Sequence, residues 1–436
     1  MKFVYISFIL FIAVQGFCQT TLSLEQAINQ AIEQNPSIKI QRMESQVAQS
    51  KVFKGNVGKL PSIDATGNAS YMNNFADVKL RTFQPDPEFI EVEEFGVENW
   101  IVNLGVQANY VLYDGGRSDY RLQLLQGLSK VEQVKQQVLI NETVLAVTQL
   151  YLEILKLQNQ AAFLEENIEN SQLRIQKMED RKQFGQANQL SILQLQTALN
   201  QDEAALDDVR LVKSNLMKDL NFLSGTNLEK EFEVQAVEQE VMLSDIATIY
   251  TAISSNNPQL RLSKLGIELA GTELQLNQLD RQPSVAASAN VGYNYQNNDV
   301  QQLAEIQTAG VMLGLNARYN LFDGGVRKNR IQTAQMGVEI ANGKRQLLED
   351  NLRNQALKEH SSIKLLQAQL AREEQNLQTF KAAYQKTEDL FSTGKTNNLA
   401  LRDAQLARLN VRLRIEQLKI DIFMASMRLK QLMGAL

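Results

Sequence analysis

The sequence predicts an α+β membrane protein in which each protomer supplies four amphipathic transmembrane β-strands joined to long coiled-coil α-helices. Three observations carry that prediction. A tandem repeat runs through the chain. Four stretches alternate apolar with small polar residues. Heptad spacing then holds over dozens of residues.

The repeat organises the chain. Asn35-Pro36 recurs as Asn257-Pro258, Pro61-Ser62 as Pro283-Ser284 and Tyr71 as Tyr293, each 222 residues later. Tyr113-Asp114-Gly115-Gly116 recurs as Phe322-Asp323-Gly324-Gly325, but 209 residues later, and Gly185/Gly394, Gln196/Gln405 and Gly225/Gly434 keep that spacing. The first repeat therefore holds 13 extra residues between Tyr71 and Asp114. Insertions collect in surface loops, so a loop is expected there. It includes Asp86–Phe95, read either as the negative mouth of an outer loop or as a plain solvated segment. The divisions expected are a leader at 1–18, a first repeat at 19–225, a connecting segment at 226–243 and a second repeat at 244–436.

The leader rests on Lys2, an apolar run from Phe3 to Val14, and small residues at Gly16 and Cys18. Cleavage after Cys18 would leave a chain with no cysteine, which suits an oxidising compartment. The rival reading makes Cys18 an acylated residue, although Phe17 is large for that processing. No second apolar stretch is expected to reach membrane-helix length, so a membrane-embedded mature chain must be a β-barrel.

Each repeat begins with a helical pattern, Leu24 to about Phe53 in the first. The period then falls to two. Ile63, Ala65, Gly67, Ala69 and Tyr71 alternate with Asp64, Thr66, Asn68 and Ser70. Val102, Leu104, Val106, Ala108, Tyr110 and Leu112 do the same. Val285–Tyr295 and Val311–Leu321 are their counterparts. Strands of about ten residues can cross an outer membrane when tilted. A soluble sandwich is the plainer alternative. Against it stand the amide-rich polar faces and the tyrosines near strand ends: Tyr71, Tyr110, Tyr113, Tyr293, Tyr295 and Tyr319. Four strands cannot close a barrel, since the smallest have about eight, so an oligomer surrounded by outer-membrane lipid is required.

A proline-free helix follows each Asp-Gly-Gly. Leu150, Ile154, Leu157, Ala161, Leu164 and Ile168 form one seam of 4,3 spacing. Ile192, Leu195, Leu199, Leu206 and Val209 form another, on whose grid Asp202 also falls. Leu352, Ala356, Ile363 and Leu366 form a third. Gly185 and Gly394 sit where each long helix turns back.

Together these features resemble the TolC-like outer-membrane efflux proteins. The resemblance rests on the helix-strand-strand-helix repeats, the early Asn-Pro, the Pro-Ser entering each first strand and the aromatic-Asp-Gly-Gly leaving each second one. Gly394, Leu399 and Asp403-Ala404-Gln405 resemble the family's hairpin-tip signature. The resemblance implies a homotrimer with one 12-stranded barrel above a periplasmic helical tunnel. It further implies docking to a periplasmic adaptor and to an inner-membrane pump of resistance-nodulation-division or ABC type. The chain would be the passive outer-membrane conduit of efflux or type I secretion, in a Gram-negative bacterium.

The resemblance also assigns residues. Asp403 is the candidate periplasmic gate, although the family's other tip aspartate falls on Ala400. Gly185, Gln186, Asn188, Gly394, Lys395 and Asn397 are the candidate adaptor-docking tips. The strand-helix junctions are Pro61, Asp114, Gly115, Gly116, Pro283, Asp323, Gly324 and Gly325, read as structural. The aspartates are expected to cap the following helix, the glycine pairs to adopt positive φ and the prolines to end helices.

The 436 residues carry a formal charge of -5, mixed in sign, which gives no footprint for nucleic acid. His360 is the only histidine, and no Ser/His/Asp, phosphate-loop or metal-ligand constellation is present, so neither an enzyme nor a cofactor is expected. The remaining alternatives are a coiled-coil scaffold without channel activity and a periplasmic adaptor. The first leaves the four strands unexplained, and the second needs only one helical hairpin.

Overall fold

The computed structural model describes residues 21–81, 88–184, 188–237, 241–298 and 304–436. The expected leader, Asp86, Pro87, Gly185, Gln186 and Ala187 lie outside the described residues. The elements run β1 (Thr21–Leu22), α1 (Leu24–Gln34), α2 (Pro36–Ser50), β2 (Ser62–Arg81), β3 (Phe89–Tyr113), α3 (Arg117–Gln183) and α4 (Gln189–Leu223). Then come β4 (Glu233–Val234), α5 (Ile246–Asn256), α6 (Pro258–Leu279), β5 (Ser284–Asn298), β6 (Glu305–Arg318), α7 (Val326–Ser392) and α8 (Asn398–Met433). Apart from β1 and β4, the same six-element series occurs twice.

Two compact units emerge, and each draws on both repeats. Among the described residues, one comprises those within 21–43, 134–261 and 346–436, and the other those within 44–133 and 262–345.

The first unit is helical. Its largest core gathers Ala27 and Ala31 of α1, Val147, Tyr151 and Ile154 of α3, Leu220 of α4, and Phe423 and Met424 of α8. Within α3 lies one stretch long and apolar enough for a membrane span, contrary to expectation, and half of it is buried. Packing in this core explains much of its apolarity. The Tyr151 hydroxyl lies 2.8 Å from the carbonyls of Leu22 and Gln235, which ties α3 to the small parallel β1–β4 ladder.

The Asn-Pro motifs now have a cause. Asn35 accepts from the N–H groups of Ser37 and Ile38 at 2.8 and 3.2 Å, so it caps α2 while Pro36 takes the first helical position. Its Nδ2 donates to the Leu223 carbonyl at the end of α4, at 2.8 Å. Asn257 repeats this arrangement, donating to Leu432 at 2.8 Å. Opposite each sits a glycine with positive φ, Gly225 and Gly434, whose absent Cβ would lie 2.5 Å from the carbonyl oxygens of Gln34 and Asn256. The Asn-Pro break also divides the helical pattern at Leu24–Phe53 into α1 and α2.

The second unit carries the sheet, antiparallel in the order β2-β3-β5-β6. Register places Ala65, Val106, Val291 and Val311 in one row, with Ile63, Ala108, Ala289 and Leu313 in the next. This apolar face is open: Leu313 is 78% and Leu315 76% exposed. The strands are longer than expected, at 20, 25, 15 and 14 residues.

The described part of the inserted stretch is almost wholly strand, where a loop was expected. Asn74↔Val97 through Arg81↔Phe89 continue the β2–β3 pairing, with a bulge at Phe75 opposite Phe95 and Gly96. Continued alternation of apolar with charged residues favours this, and Lys79 pairs with Glu91 across the ladder at 2.5 Å. The described part of the acidic segment therefore lies mostly in β3. Conversely, β6 ends at Arg318, so Tyr319 and Leu321 fall beyond it.

Substituting Asn35→Ala or Asn257→Ala should cost about 1–3 kcal/mol, because each change strips a buried cap and leaves a carbonyl without its donor. The purified chain should lose helical circular dichroism at a lower temperature. Asn257→Asp keeps the acceptor and loses the donor, so it should fall between parent and Ala. Unchanged midpoints in all three variants would refute the clamp.

Candidate functional site

Three regions of the chain bear on function: the polar face of the sheet, the strand-helix junctions and the turn between α7 and α8. On the sheet, rows opposite the apolar face read Thr66–Gly105–Gly292–Gly310 and Asn68–Asn103–Asn294–Thr308. They are small or amide side chains with few charges, joined in places by side-chain hydrogen bonds such as Gln107 to Asn109 at 3.1 Å. Ile101 and Met312 interrupt the polarity of this face.

The apolar face ends in aromatics. Tyr71 packs against Trp100 with ring centroids 4.8 Å apart, and Tyr110 lies ten residues from Trp100 along β3. Ten residues rise about 33 Å. A tilt of about 40° reduces this to a height of about 25 Å, the apolar band of an outer-membrane barrel.

At the first junction Asp114 accepts from Gly116 N–H at 3.1 Å and from Ser118 N–H at 2.7 Å, capping α3. Burial pushes its carboxyl up, but the Ser118 hydroxyl, the two N–H groups and Arg117 outweigh that and hold it below the usual value. At the second junction Asp323 accepts from Gly325 N–H at 3.1 Å and Arg327 N–H at 2.9 Å. Gly115, Gly116, Gly324 and Gly325 have φ of 72°, 85°, 67° and 86°. Gly115 has a second reason to be glycine, since a Cβ would lie 2.2 Å from that of Gln282. The prolines stand alike: Pro283 lies four residues past α6 and directly before β5, and Pro61 lies four residues past the 3-10 turn at Lys54–Val57 and directly before β2.

At the tip, Gly394 and Lys395 donate to Phe391 and Leu390 at 3.0 and 2.8 Å, which closes α7. Asn397 caps α8 by accepting from Ala400 N–H at 3.0 Å. Asn188 caps α4 in the same way, from Ser191 N–H at 3.1 Å. Gly185 and Gln186 lie outside the described residues. Asp403, in the second turn of α8, is exposed, while Leu401 and Gln405 on either side are buried.

Sequence reasoning missed the polar ties that hold this end of α8. Arg402 grips Asp202 of α4 with two hydrogen bonds, at 2.8 and 2.5 Å, and the side chains are only 16% and 8% exposed. Gln405 accepts from Arg174 of α3 and donates to Asn167, both at 2.9 Å. Arg174 also donates to the Tyr384 hydroxyl of α7 at 2.8 Å. A visible signal was Asp202 standing, like Lys213, on a grid of apolar heptad positions, since a buried charge demands a partner. Its partner on a distant helix had no sequence mark.

The family model for outer membrane efflux proteins matches residues 27–226 and 249–435. No curated protein is significantly similar in sequence. Among solved structures, CusC, reported for transmembrane channel formation, aligns at TM-score 0.75 and 15% identity, covering 94% of this chain and 92% of CusC. The CmeC outer membrane channel of Campylobacter jejuni aligns at TM-score 0.76 and 14% identity, covering 94% and 85%. VceC, an outer membrane protein of Vibrio cholerae, aligns at TM-score 0.71 and 16% identity, covering 94% and 96%. At these identities the likeness is one of fold.

Proposed function

The chain belongs to the outer membrane efflux protein family, and on that premise we propose that it is the passive channel subunit of a tripartite efflux or type I secretion system. The supporting observation is the two-faced sheet. Its apolar face matches a membrane band in height, and its amide-rich face suits a water-filled wall. Three copies would supply twelve strands and remove both open edges. α3 and α7, each of 67 residues, would then run about 100 Å into the periplasm. An energised inner-membrane pump, of resistance-nodulation-division or ABC type, would drive and select the cargo.

The tips are the proposed docking point for a periplasmic adaptor. Small and polar residues at Gly394, Lys395, Asn397 and Asn188 favour close approach by another helical hairpin, and Gly185 and Gln186 belong to the same proposal. Gly394→Trp should abolish site-specific crosslinking to the adaptor while the oligomer still assembles. Crosslinking at parental efficiency would remove the tip from the account.

Asp403 is the proposed gate. The Arg402–Asp202 pair fixes the rotation of α8 and leaves Asp403 on its exposed face. Threefold symmetry would gather three carboxylates at one constriction, favouring cations and binding multivalent ones. In planar bilayers, Asp403→Asn should weaken cation selectivity and abolish block by trivalent cations. Identical selectivity and block in parent and variant would place the gate elsewhere.

A further inference from the structure

Where β5 begins, β6 ends and α7 starts, the second unit holds a cavity of about 430 Å³. Four arginines line it, Arg117, Arg318, Arg327 and Arg330, against two aspartates, Asp280 and Asp323. The difference is two positive charges, on a sheet whose polar face is otherwise almost uncharged.

The aspartates do not consume these guanidinium groups. Asp280 lies 3.5 Å from Arg117 and 3.9 Å from Arg330, and Asp323 lies 3.6 Å from Arg327. Charge-assisted hydrogen bonds close to about 2.7–2.9 Å, so these contacts offset charge and leave N–H donors available. Asp323 is moreover occupied by its helix cap. The Arg318 side chain has no ion-pair or hydrogen-bond partner among the described residues. The first turn of α7 adds its own positive end to the same space.

The cavity belongs to the aqueous side. Arg318 stands directly opposite Ser284 in the β5–β6 register, and Ser284 shares its face with Ser288, Asn290 and Gly292. That is the polar face, the one proposed above as the conduit wall. A cation would be repelled there. A planar guanidinium fork matches a phosphate-type oxyanion through paired N–H bonds, which an ammonium cannot do. The volume is many times a water's share of about 30 Å³, so such an anion fits with some of its hydration.

We propose that this arginine-lined cavity at the foot of the sheet is a binding site for phosphate-type oxyanions. It acts on a single protomer and does not depend on the oligomer or on conductance. The soluble form of that chemistry is a phosphorylated or inorganic anion in the conduit; the lipid form is a phospholipid headgroup.

Calorimetric titration of the full chain in nonionic detergent with inorganic pyrophosphate separates the cases. A second arm asks whether phosphatidylglycerol is retained by the chain in nanodiscs. Parent protein and an Arg414→Gln control should bind pyrophosphate alike. Arg318→Gln/Arg330→Gln, with parental circular dichroism, should bind about tenfold or more weakly. Arginine-dependent retention of phosphatidylglycerol without pyrophosphate binding would assign the same site to lipid phosphate. Equal binding of either probe by parent and double variant, or no binding of either by the parent, would overturn the proposal.

Discussion

β2 and β6 each have a neighbour on one side only, in a sheet whose apolar face carries Leu104, Val106, Val311, Leu313 and Leu315 in the open. Hydrocarbon accepts that face readily, but it offers nothing to an unpaired backbone N–H or C=O. Each such group costs several kcal/mol there. A sheet of this kind is therefore stable in a membrane only when its edges meet other edges. The demand falls on backbone and not on side chains. It explains how the fold can be shared with CusC and CmeC at identities of 15% and 14%. Period-two patterning can be rebuilt from many sequences, whereas the edge requirement cannot be relaxed.

The helical unit answers a different constraint. Its helices leave termini that must be capped without water wherever they are buried. The chain meets this twice with the same pair, an asparagine that caps one helix and reaches back to another, facing a glycine that admits a carbonyl where a Cβ would clash. Duplication accounts for the twofold occurrence. The copies differ in the extended β2–β3 hairpin and in the polar ties of α8 to α4 and α3.

Much of this was legible in the residues. Alternation located all four strands, and heptads marked the seams along α3 and α7, because both periods are direct projections of backbone geometry; the Asp-Gly-Gly junctions and the turn glycines bracketed the two helices. Loop and strand were confused over Asn74–Arg81 and Phe89–Phe95, because an insertion's surface location says nothing about its pairing. The capping aspartates of the Asp-Gly-Gly junctions were visible too. Arg402 and Arg174 were not, since their partners lie 200 and 231 residues away and sequence carries no distance between helices.

The central claim is that the sheet is one sector of a closed membrane barrel. Cysteine scanning of the two edges tests it most directly, with single cysteines at β2 positions such as Asp64 and Asn68 combined with others at β6 positions such as Thr308 and Met312. Oxidation in outer-membrane fractions should give a ladder ending at a covalent trimer for at least one β2–β6 pair, and none for pairs placed in β3 and β5. Monomer alone across the whole β2–β6 scan, or equal crosslinking from the inner strands, would contradict the account.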